Sequence, residues 1–358
     1  MKYIHIILLL SLCCSTTREN FTEKKWAMEV ESAKTADLYA PHYRDGEYFN
    51  PWLPMKNKSV MELLYWRLSG KADYRESDKS RLPVVIPNAL ERIKAIPGRD
   101  FILWVGHNTF LMRINGEYWV TDPVFTEKII ILGRKTPPGI TIKEISTLTD
   151  SPNIMVSHNH YDHLSEESIR EMPAGSRIYA PLGLKDFLTG LGKKNVTEMD
   201  WWQEIDLGAG KKLLCLPAQH WSRRIGQDYN TTLWAGFMLI TPAATIFFGG
   251  DSGYFTGYRE IGKRVPRIDY AILPVSASHP RWFMHYAHMD PGEAIRAFTD
   301  LGAGHFIPAH WGTFHLGDEP PGYAGPDLVK KIEEGGMDRK KFLIMGIGEI
   351  VLIDGGKR

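Results

Sequence analysis

The chain has 358 residues, of which 43% are hydrophobic and 24% are charged, and these values are typical of a folded globular protein. They exclude a collagen-like chain, a disordered chain and a membrane protein with several spans. The formal net charge of +1 at pH 7 provides no broad basic field, so we expect no nucleic-acid partner.

Residues 1–14, MKYIHIILLLSLCC, are typical of a secretory signal peptide. Lys2 gives a short basic region, and the apolar run after it is too short to span a bilayer. Cys13 ends this run with Leu10 three residues before it, which resembles a bacterial lipoprotein signal and makes Cys13 the candidate for lipidation. The alternatives are lipidation at Cys14, an unmodified secretory signal or an N-terminal membrane anchor. We therefore expect a bacterial cell envelope protein, either lipid-anchored at a membrane or secreted or periplasmic.

The next segment, residues 15–47, is polar and has no helical or strand period, which predicts a flexible tether. Apolar residues then recur at helical spacing between Met61 and Leu68, with Gly70 as a stop signal. This helix either packs on the main core, which we favour, or presents an apolar face to lipid.

Strand patterns dominate from Phe101 onward, beginning with a hairpin whose turn is Asn115-Gly116. Apolar strand segments such as NIMVSH, RIYAP, KLLCLPAQ, TIFFGGD, YAILPV and HFIPAH follow, and helical segments such as SEESIREM and DPGEAIRAFTDLG lie between them. Strand-rich halves with intervening helices predict an α/β fold built on two sheets. The three cysteines cannot form a disulfide framework, and Cys215, within a strand pattern, is predicted to be buried and inert.

Metal-binding side chains are concentrated directly after the NIMVSH strand. From His158 to His163 the pattern H-x-H-x-D-H places three histidines and one aspartate within six positions. Imidazole and carboxylate groups suit a borderline cation such as Zn²⁺. A tight loop that leaves a strand can direct some of these side chains at one ion and the others at a second ion.

Three later strand patterns end in the same kinds of ligand, namely His220, Asp251 and His310. Each residue alone is weak evidence, but together they complete a set for two ions. We expect one ion to bind His158, His160 and His220, the other to bind Asp162, His163 and His310, and Asp251 to bridge them. Two Zn²⁺ ions are the expected cofactors, although iron or manganese also fits these ligands. Such a centre is net positive and would attract a phosphodiester.

This ligand pattern resembles the metallo-β-lactamase superfamily. The segments WVGHNTF, TDPVF, VSHNHYDHL, FFGGDSGY, PRWFMHYAHMDP and AHWGTF further resemble N-acylphosphatidylethanolamine-hydrolysing phospholipase D, from about Phe49 almost to the C-terminus. The resemblance implies a four-layer αβ/βα sandwich, with two mixed β-sheets flanked by helices, over residues 48–358 with a helical extension at the N-terminal end. It also implies a phospholipid substrate, and the possible lipid anchor would keep the enzyme at a membrane surface. N-acylphosphatidylethanolamine would be cleaved to N-acylethanolamine and phosphatidic acid by a bridging hydroxide that Asp162 or Asp251 orients.

Further residues are predicted to surround the ligands. His288, in YAHMDP, matches a histidine that the family keeps beside the metals, and it either contacts the substrate phosphate or leaving oxygen or supports a ligand. Asp122 and His107 are expected to hydrogen-bond to ligand residues, with a simple turn acid as the alternative for Asp122. Trp221 and Trp311 directly follow two ligands, and they either form a wall of the substrate cleft or pack in the core.

Two other functions fit the same residues. One is a different hydrolase of the superfamily, acting on a lactone, a cyclic nucleotide or a soluble phosphodiester, which the phospholipase-like segments oppose. The other is a surface lipoprotein that binds metal without turnover, which the complete ligand set opposes. Nothing in the residues selects an oligomeric state or an acyl-chain preference.

Overall fold

The computed structural model describes residues 21–55, 58, 60–69, 72–75, 78 and 81–353. In this part of the chain two large β-sheets pack face to face, and helices cover their outer surfaces. The predicted α/β class, with two mixed sheets flanked by helices, is confirmed. The signal segment 1–14 and the lipidation candidate Cys13 lie outside the described residues.

The described residues form 17 β-strands and ten α-helices. The strands are β1 (Tyr43–Arg44), β2 (Glu47–Tyr48), β3 (Phe101–Gly106), β4 (Thr109–Ile114), β5 (Glu117–Thr121), β6 (Lys128–Ile129), β7 (Leu132–Gly133), β8 (Asn153–Met155), β9 (Arg177–Pro181), β10 (Asn195–Met199), β11 (Glu204–Gly208), β12 (Lys211–Leu216), β13 (Gly236–Ile240), β14 (Thr245–Phe248), β15 (Tyr270–Pro274), β16 (His305–Ala309) and β17 (Ile350–Leu352). The α-helices are α1 (Glu23–Ser32), α2 (Val60–Leu68), α3 (Ala89–Lys94), α4 (Ile142–Leu148), α5 (Glu166–Glu171), α6 (Lys185–Gly190), α7 (Gly257–Arg264), α8 (Arg281–Met284), α9 (Pro291–Leu301) and α10 (Ala324–Glu334).

Both large sheets change from antiparallel to parallel pairing across their width. One has the order β10-β9-β8-β5-β4-β3-β17, antiparallel from β17 to β5 and parallel from β5 to β10. The other has the order β11-β12-β13-β14-β15-β16, antiparallel from β11 to β14 and parallel beyond. Because parallel strands end at the same edge of a sheet, their carboxyl ends bring several loops together there.

The alternation of side chains along each strand separates two apolar layers. In β3, Ile102 and Trp104 face the space between the sheets, while Phe101, Leu103 and Val105 face helices α3 to α6 on the outer surface. All five are buried. Helices α7, α9 and α10 cover the outer face of the six-stranded sheet. Two packed layers therefore hold the strand ends in fixed positions.

The prediction of a tether over residues 15–47 is wrong for the described residues 21–47. Thr22 caps helix α1, and Trp26 and Val30 of this helix are buried against the main core. Glu31 pairs with Arg259 and Arg296, which fixes the other end of α1 to helices α7 and α9. The segment looks like a tether in the sequence because few of its residues are apolar, and its partners lie more than 200 positions away.

We expect Trp26→Ala to lower the free energy of unfolding by about 3 kcal/mol, since it removes a large buried side chain and leaves a cavity. The same change at Met28, which is 64% exposed on the same helix, should cost less than about 0.5 kcal/mol. Urea denaturation followed by tryptophan fluorescence and circular dichroism measures both values. Equal, small losses at the two positions would show that α1 is not docked in solution.

Helix α2 does not pack on the main core as favoured from the sequence. Trp66 stacks on Phe283 in a small separate cluster, with their ring centroids 4.8 Å apart. Leu64 and Leu68 on the same helix are 45% and 84% exposed. No helix among the described residues is long and apolar enough to cross a bilayer.

Candidate metal centre

The predicted ligands come together at one edge of the sandwich, where strands of both sheets end. Asp122 follows β5, His158 to His163 follow β8, and His310 follows β16, while Asp251 and His220 lie a few residues beyond β14 and β12. His310 has a φ of 67°, in the left-handed region that side chains other than glycine rarely adopt. Such backbone strain clusters at functional sites, where the surrounding packing maintains it.

Three imidazoles form the first cluster, of which His158 and His220 are buried and His160 is partly exposed. His158 Nε2 lies 2.7 Å from His160 Nδ1, and His220 Nε2 lies 3.2 Å from the same atom. The outer nitrogens of two of these rings are occupied, because His158 Nδ1 faces Ser157 Oγ at 2.9 Å and His220 Nδ1 faces the carbonyl of Ala287 at 3.0 Å. The inner nitrogens are therefore free to act as ligands.

Burial keeps this first cluster uncharged at neutral pH. It lowers the pKa of His160 to about 4 and that of His220 to about 3, and it lowers the pKa of His158 as well. Neutral imidazoles are the form that binds a metal ion. The three nitrogens converge, and too few N–H protons are available for each of them to be satisfied by a hydrogen bond. They are therefore chemically suited to bind one cation.

The second cluster surrounds the carboxylate of Asp162. Its Oδ2 atom lies 3.3 Å from His163 Nε2, 3.4 Å from His310 Nε2 and 3.0 Å from His107 Nε2. The sequence predicts His163 and His310 as ligands and His107 as a hydrogen-bond partner. The structure places His107 close enough that these four groups form one potential metal-binding set.

Asp251 lies between the two clusters. Its Oδ2 atom is 3.1 Å from His163 Nε2, 3.0 Å from His310 Nε2 and 3.9 Å from His220 Nε2. Asn108 donates to the other carboxylate oxygen at 3.2 Å, which leaves Oδ2 directed inward. This geometry is what a bridging carboxylate requires, and the bridging role itself stays a prediction.

A glycine permits the turn that places Asp251. Gly250 has a φ of 59°, and a Cβ atom at this position would lie 2.6 Å from Ser157 Cβ. A larger residue would therefore push the Asp251 turn away from the histidine loop.

The charges of the second cluster compensate one another. Burial alone would lower the pKa of His310, but Asp251 and Asp162 outweigh it and raise this pKa to about 9. His163 behaves in the same way, because the aspartates around it raise its pKa against the effect of burial. Burial opposes the lowering of the Asp162 and Asp251 pKa values, yet the histidines hold both low. A divalent cation can replace the two imidazolium protons, so the donor set fits metal.

Unpartnered nitrogens give a second sign of this fit. Among the described residues, His163 Nε2 and His310 Nε2 are buried and have no hydrogen-bond partner of good geometry. Both atoms face the same two aspartates. Buried polar atoms are nearly always satisfied in folded proteins, so these nitrogens indicate a ligand such as a metal ion.

Asp122 orients the second cluster from behind. One of its oxygens accepts from the backbone N–H of Ser157 at 2.7 Å, and the other accepts from Ser157 Oγ and His163 Nδ1 at 2.6 and 2.7 Å. The structure thus places Asp122 in contact with a ligand residue rather than in an isolated turn. Ser157 and Asn108 were not singled out from the sequence, since short polar residues beside histidines carry no distinctive pattern.

A cavity of about 620 Å³ leads to the centre. Asp162, Asp251 and His288 are among the polar residues that line it. His288 Nδ1 is 3.8 Å from Asp251 Oδ2 and has no hydrogen-bond partner among the described residues. Most of the remaining wall is apolar, formed by side chains of α2, α8 and the β6–β7 hairpin.

The two tryptophans that follow ligands have different environments. Trp221 lines the cavity, with its ring 4.4 Å from that of His160. Trp311 is 5% exposed and stacks on Trp104 in the inter-sheet core, and Gly325 packs against its ring. The prediction that Trp311 forms a wall of the substrate cleft is therefore wrong, because its ring packs in the core just after β16.

Comparison with known proteins identifies a family and several relatives. A family model described as a beta-lactamase superfamily domain matches residues 119–311. An uncharacterized protein of Mycobacterium tuberculosis is 30% identical over 309 residues, covering 82% of this chain and 80% of that protein. N-acyl-phosphatidylethanolamine-hydrolyzing phospholipase D 1 of Caenorhabditis elegans is 31% identical over 269 residues, covering 70% of this chain and 75% of that protein. Igni18, a solved metallo hydrolase from Ignicoccus hospitalis, has a TM-score of 0.55 at 21% identity, covering 71% of this chain and 98% of that one.

The fold and the site define a metal-dependent hydrolase with a candidate histidine and aspartate metal centre. The chain belongs to the metallo-β-lactamase superfamily, and its relatives include N-acylphosphatidylethanolamine-hydrolysing phospholipase D. The resemblance predicted from the sequence motifs is confirmed.

Proposed function

We propose that this hydrolase is of the phospholipase D type and cleaves N-acylphosphatidylethanolamine to N-acylethanolamine and phosphatidic acid. The observation that carries the proposal is the largely apolar cavity of about 620 Å³ whose lining includes Asp162 and Asp251. A phosphodiester with apolar chains on both sides fits such a cavity, because its chains match the apolar walls and its phosphate matches the polar residues. The name of the Caenorhabditis elegans relative, an N-acyl-phosphatidylethanolamine-hydrolyzing phospholipase D, supports the same substrate.

We assign two Zn²⁺ ions to the site, because its proposed ligands are imidazoles and carboxylates without a cysteine. His158, His160 and His220 would hold one ion, Asp162, His163 and His310 the other, and Asp251 would contact both. When bound, two such ions supply Lewis acidity and lower the pKa of water. Iron or manganese remains compatible with the same donor set.

The residues of the chain arrange the substrate and the nucleophilic water. The Asp251 carboxylate, held by Asn108, and the Asp162 carboxylate, held by His107, can accept hydrogen bonds from a water molecule and orient it. His288 lines the cavity, so its imidazole can hydrogen-bond to a phosphoryl oxygen or to the leaving oxygen. The apolar walls exclude bulk water from the phosphodiester.

The test is hydrolysis of N-acylphosphatidylethanolamine in mixed micelles by purified protein lacking residues 1–14. Release of N-acylethanolamine, followed by mass spectrometry, is expected, with loss on chelation and recovery on adding Zn²⁺. Protein that binds two metal ions but leaves this lipid intact would contradict the phospholipase proposal. It would favour the alternative superfamily hydrolase, and lactones, cyclic nucleotides and soluble phosphodiesters would then be tested.

We also propose that the cavity mouth contacts a membrane surface, consistent with a location in the bacterial cell envelope. Ile130 and Ile131, at the tip of the β6–β7 hairpin, line the cavity and are 57% and 85% exposed. Leu63 of α2 also lines the cavity, and Leu68 of the same helix is 84% exposed. Apolar side chains exposed around the opening of a lipid-sized cavity are typical of a surface that enters the lipid interface.

Replacing Ile131 and Leu68 together by aspartate should weaken binding to phospholipid vesicles at least about tenfold, because two apolar contacts become two charges at the interface. Vesicle sedimentation measures this change. Met28→Asp is the matched control, since Met28 is 64% exposed on α1 and does not line the cavity. Equal vesicle binding by the double variant and the control would contradict the proposed contact surface.

A further inference from the structure

Lys58 places a cation in the wall of the same cavity. It lines the cavity together with Asp162, Asp251 and His288. Its Nζ atom donates a hydrogen bond to the carbonyl of Phe283 and lies 3.8 Å from the centroid of the Phe283 ring. The ammonium group is thus anchored to helix α8, in the segment that leads to His288.

The surroundings of this ammonium group satisfy it only in part. An ammonium has three donors, and the contacts found among the described residues are one carbonyl and one aromatic face. Burial lowers the pKa of Lys58 to about 8, and the charge of Glu62 opposes this effect. A desolvated cation is unfavourable unless a counter-charge or several hydrogen bonds compensate it.

Two further cations of the cavity wall differ from Lys58 in their exposure. Arg67 and Arg223 also line the cavity, but both side chains belong to exposed residues. Their charges are screened by water and salt, whereas the charge of Lys58, a partly buried residue, is screened less. Of these three cavity cations, Lys58 is therefore the one that would gain most from an anion entering the cavity.

We propose that Lys58 is an anion-binding residue of this cavity, which receives the phosphate oxygens of a phospholipid beside the metal centre. Its free donors would form charge-assisted hydrogen bonds with these oxygens. Lys58, Asp162 and Asp251 line the same cavity, and a cation in its wall favours a phospholipid over a neutral glyceride because only the phospholipid carries an anionic group. The inference rests on the proposed function in taking a phospholipid as the ligand.

Binding of two short lipids to the full chain as purified tests this proposal. Dihexanoyl phosphatidic acid carries the phosphate, and dihexanoylglycerol has the same chains without it. Titrations followed by the fluorescence of Trp66 and Trp221, which line the cavity, report both affinities without any turnover. Lys58→Met should weaken phosphatidic acid binding by about 10- to 100-fold and change dihexanoylglycerol binding less than about twofold.

Two other variants complete the comparison. Lys143→Met removes an exposed lysine on α4, outside the cavity lining, and should leave both affinities unchanged. Lys58→Arg keeps the charge and should retain the preference for phosphatidic acid, which a purely structural role in anchoring α8 would not predict. An equal loss of affinity for both lipids in Lys58→Met, or no loss of affinity for either lipid, would overturn the proposal.

The outcome is independent of the phospholipase assay. If the protein binds phosphatidic acid through Lys58 but releases no N-acylethanolamine, the result supports Lys58 as an anion-binding residue and contradicts the proposed activity. If the protein hydrolyses the lipid but Lys58→Met binds phosphatidic acid as well as the unaltered protein does, the result supports the proposed activity and contradicts the role of Lys58.

Discussion

Asp251→Asn is expected to reduce hydrolysis by at least about 10³-fold and to lower the amount of bound metal. Asp251 Oδ2 is the atom that lies within 4 Å of histidines of both clusters, namely His163, His310 and His220. An amide keeps the size of the side chain but removes the negative charge that would hold two cations close together. Metal content by mass spectrometry and the rate of N-acylethanolamine release are the two measurements.

Asp200→Asn is the matched control for this variant. Asp200 also pairs with a histidine, since its Oδ1 atom is 2.8 Å from His42 Nε2, but it is half-exposed and lies outside the cavity lining. Its variant should keep full metal content and activity. Two metal ions and an unchanged rate in Asp251→Asn would show that Asp251 does not join the two clusters.

The candidate metal centre can be predicted from the sequence because its predicted ligands occupy regular positions. His158, His220, Asp251 and His310 all stand at or just beyond the end of an apolar strand pattern. The carboxyl ends of strands in a layered α/β fold meet at one edge, so position along the chain predicts proximity in space. The α/β class and its two sheets follow from the same alternation of strands and helices.

Features that depend on distant partners could not be predicted from local pattern. Helix α1 is mostly polar, and it docks through Trp26, which donates to Glu293 at 3.0 Å, and through Glu31, which pairs with Arg259. No periodicity in residues 15–47 signals these contacts. Trp221 and Trp311 both follow a histidine, yet one lines the cavity and the other packs in the core. Their difference is set by the tertiary surroundings of each turn, which neighbouring residues do not specify.

The groups behind the ligands show the same limit of local pattern. Asn108 lies next to His107 in the sequence, but its contact with Asp251 bridges 143 positions. Ser157 precedes the histidine motif and joins it to Asp122, at a separation of 35 positions. These residues are chosen by geometry at the sheet edge rather than by any spacing. Their effect on a ligand is chemical, because they decide which nitrogen of an imidazole carries the proton.

Asp122→Asn is expected to lower the metal affinity of the second cluster by about 10- to 100-fold. Asp122 is fully buried, and its Oδ2 atom accepts from both Ser157 Oγ and His163 Nδ1. An amide nitrogen at this position is a donor, so His163 Nδ1 would have to accept and the ring proton would move to Nε2. That proton would occupy the nitrogen that faces Asp162 and Asp251.

Competition titration with a zinc chelator measures this affinity, and ¹⁵N chemical shifts of the His163 ring report the tautomer directly. Asp100→Asn is the matched control, since Asp100 accepts from the backbone of Asn115 and from Arg113 in a turn outside the cavity lining. It should cost some stability and leave the metal affinity unchanged. If Asp122→Asn keeps both the affinity and the Nδ1-protonated ring, Asp122 supports only the fold. A shift of the proton to Nε2 together with weaker metal binding would show that one buried carboxylate sets the ligand state of His163.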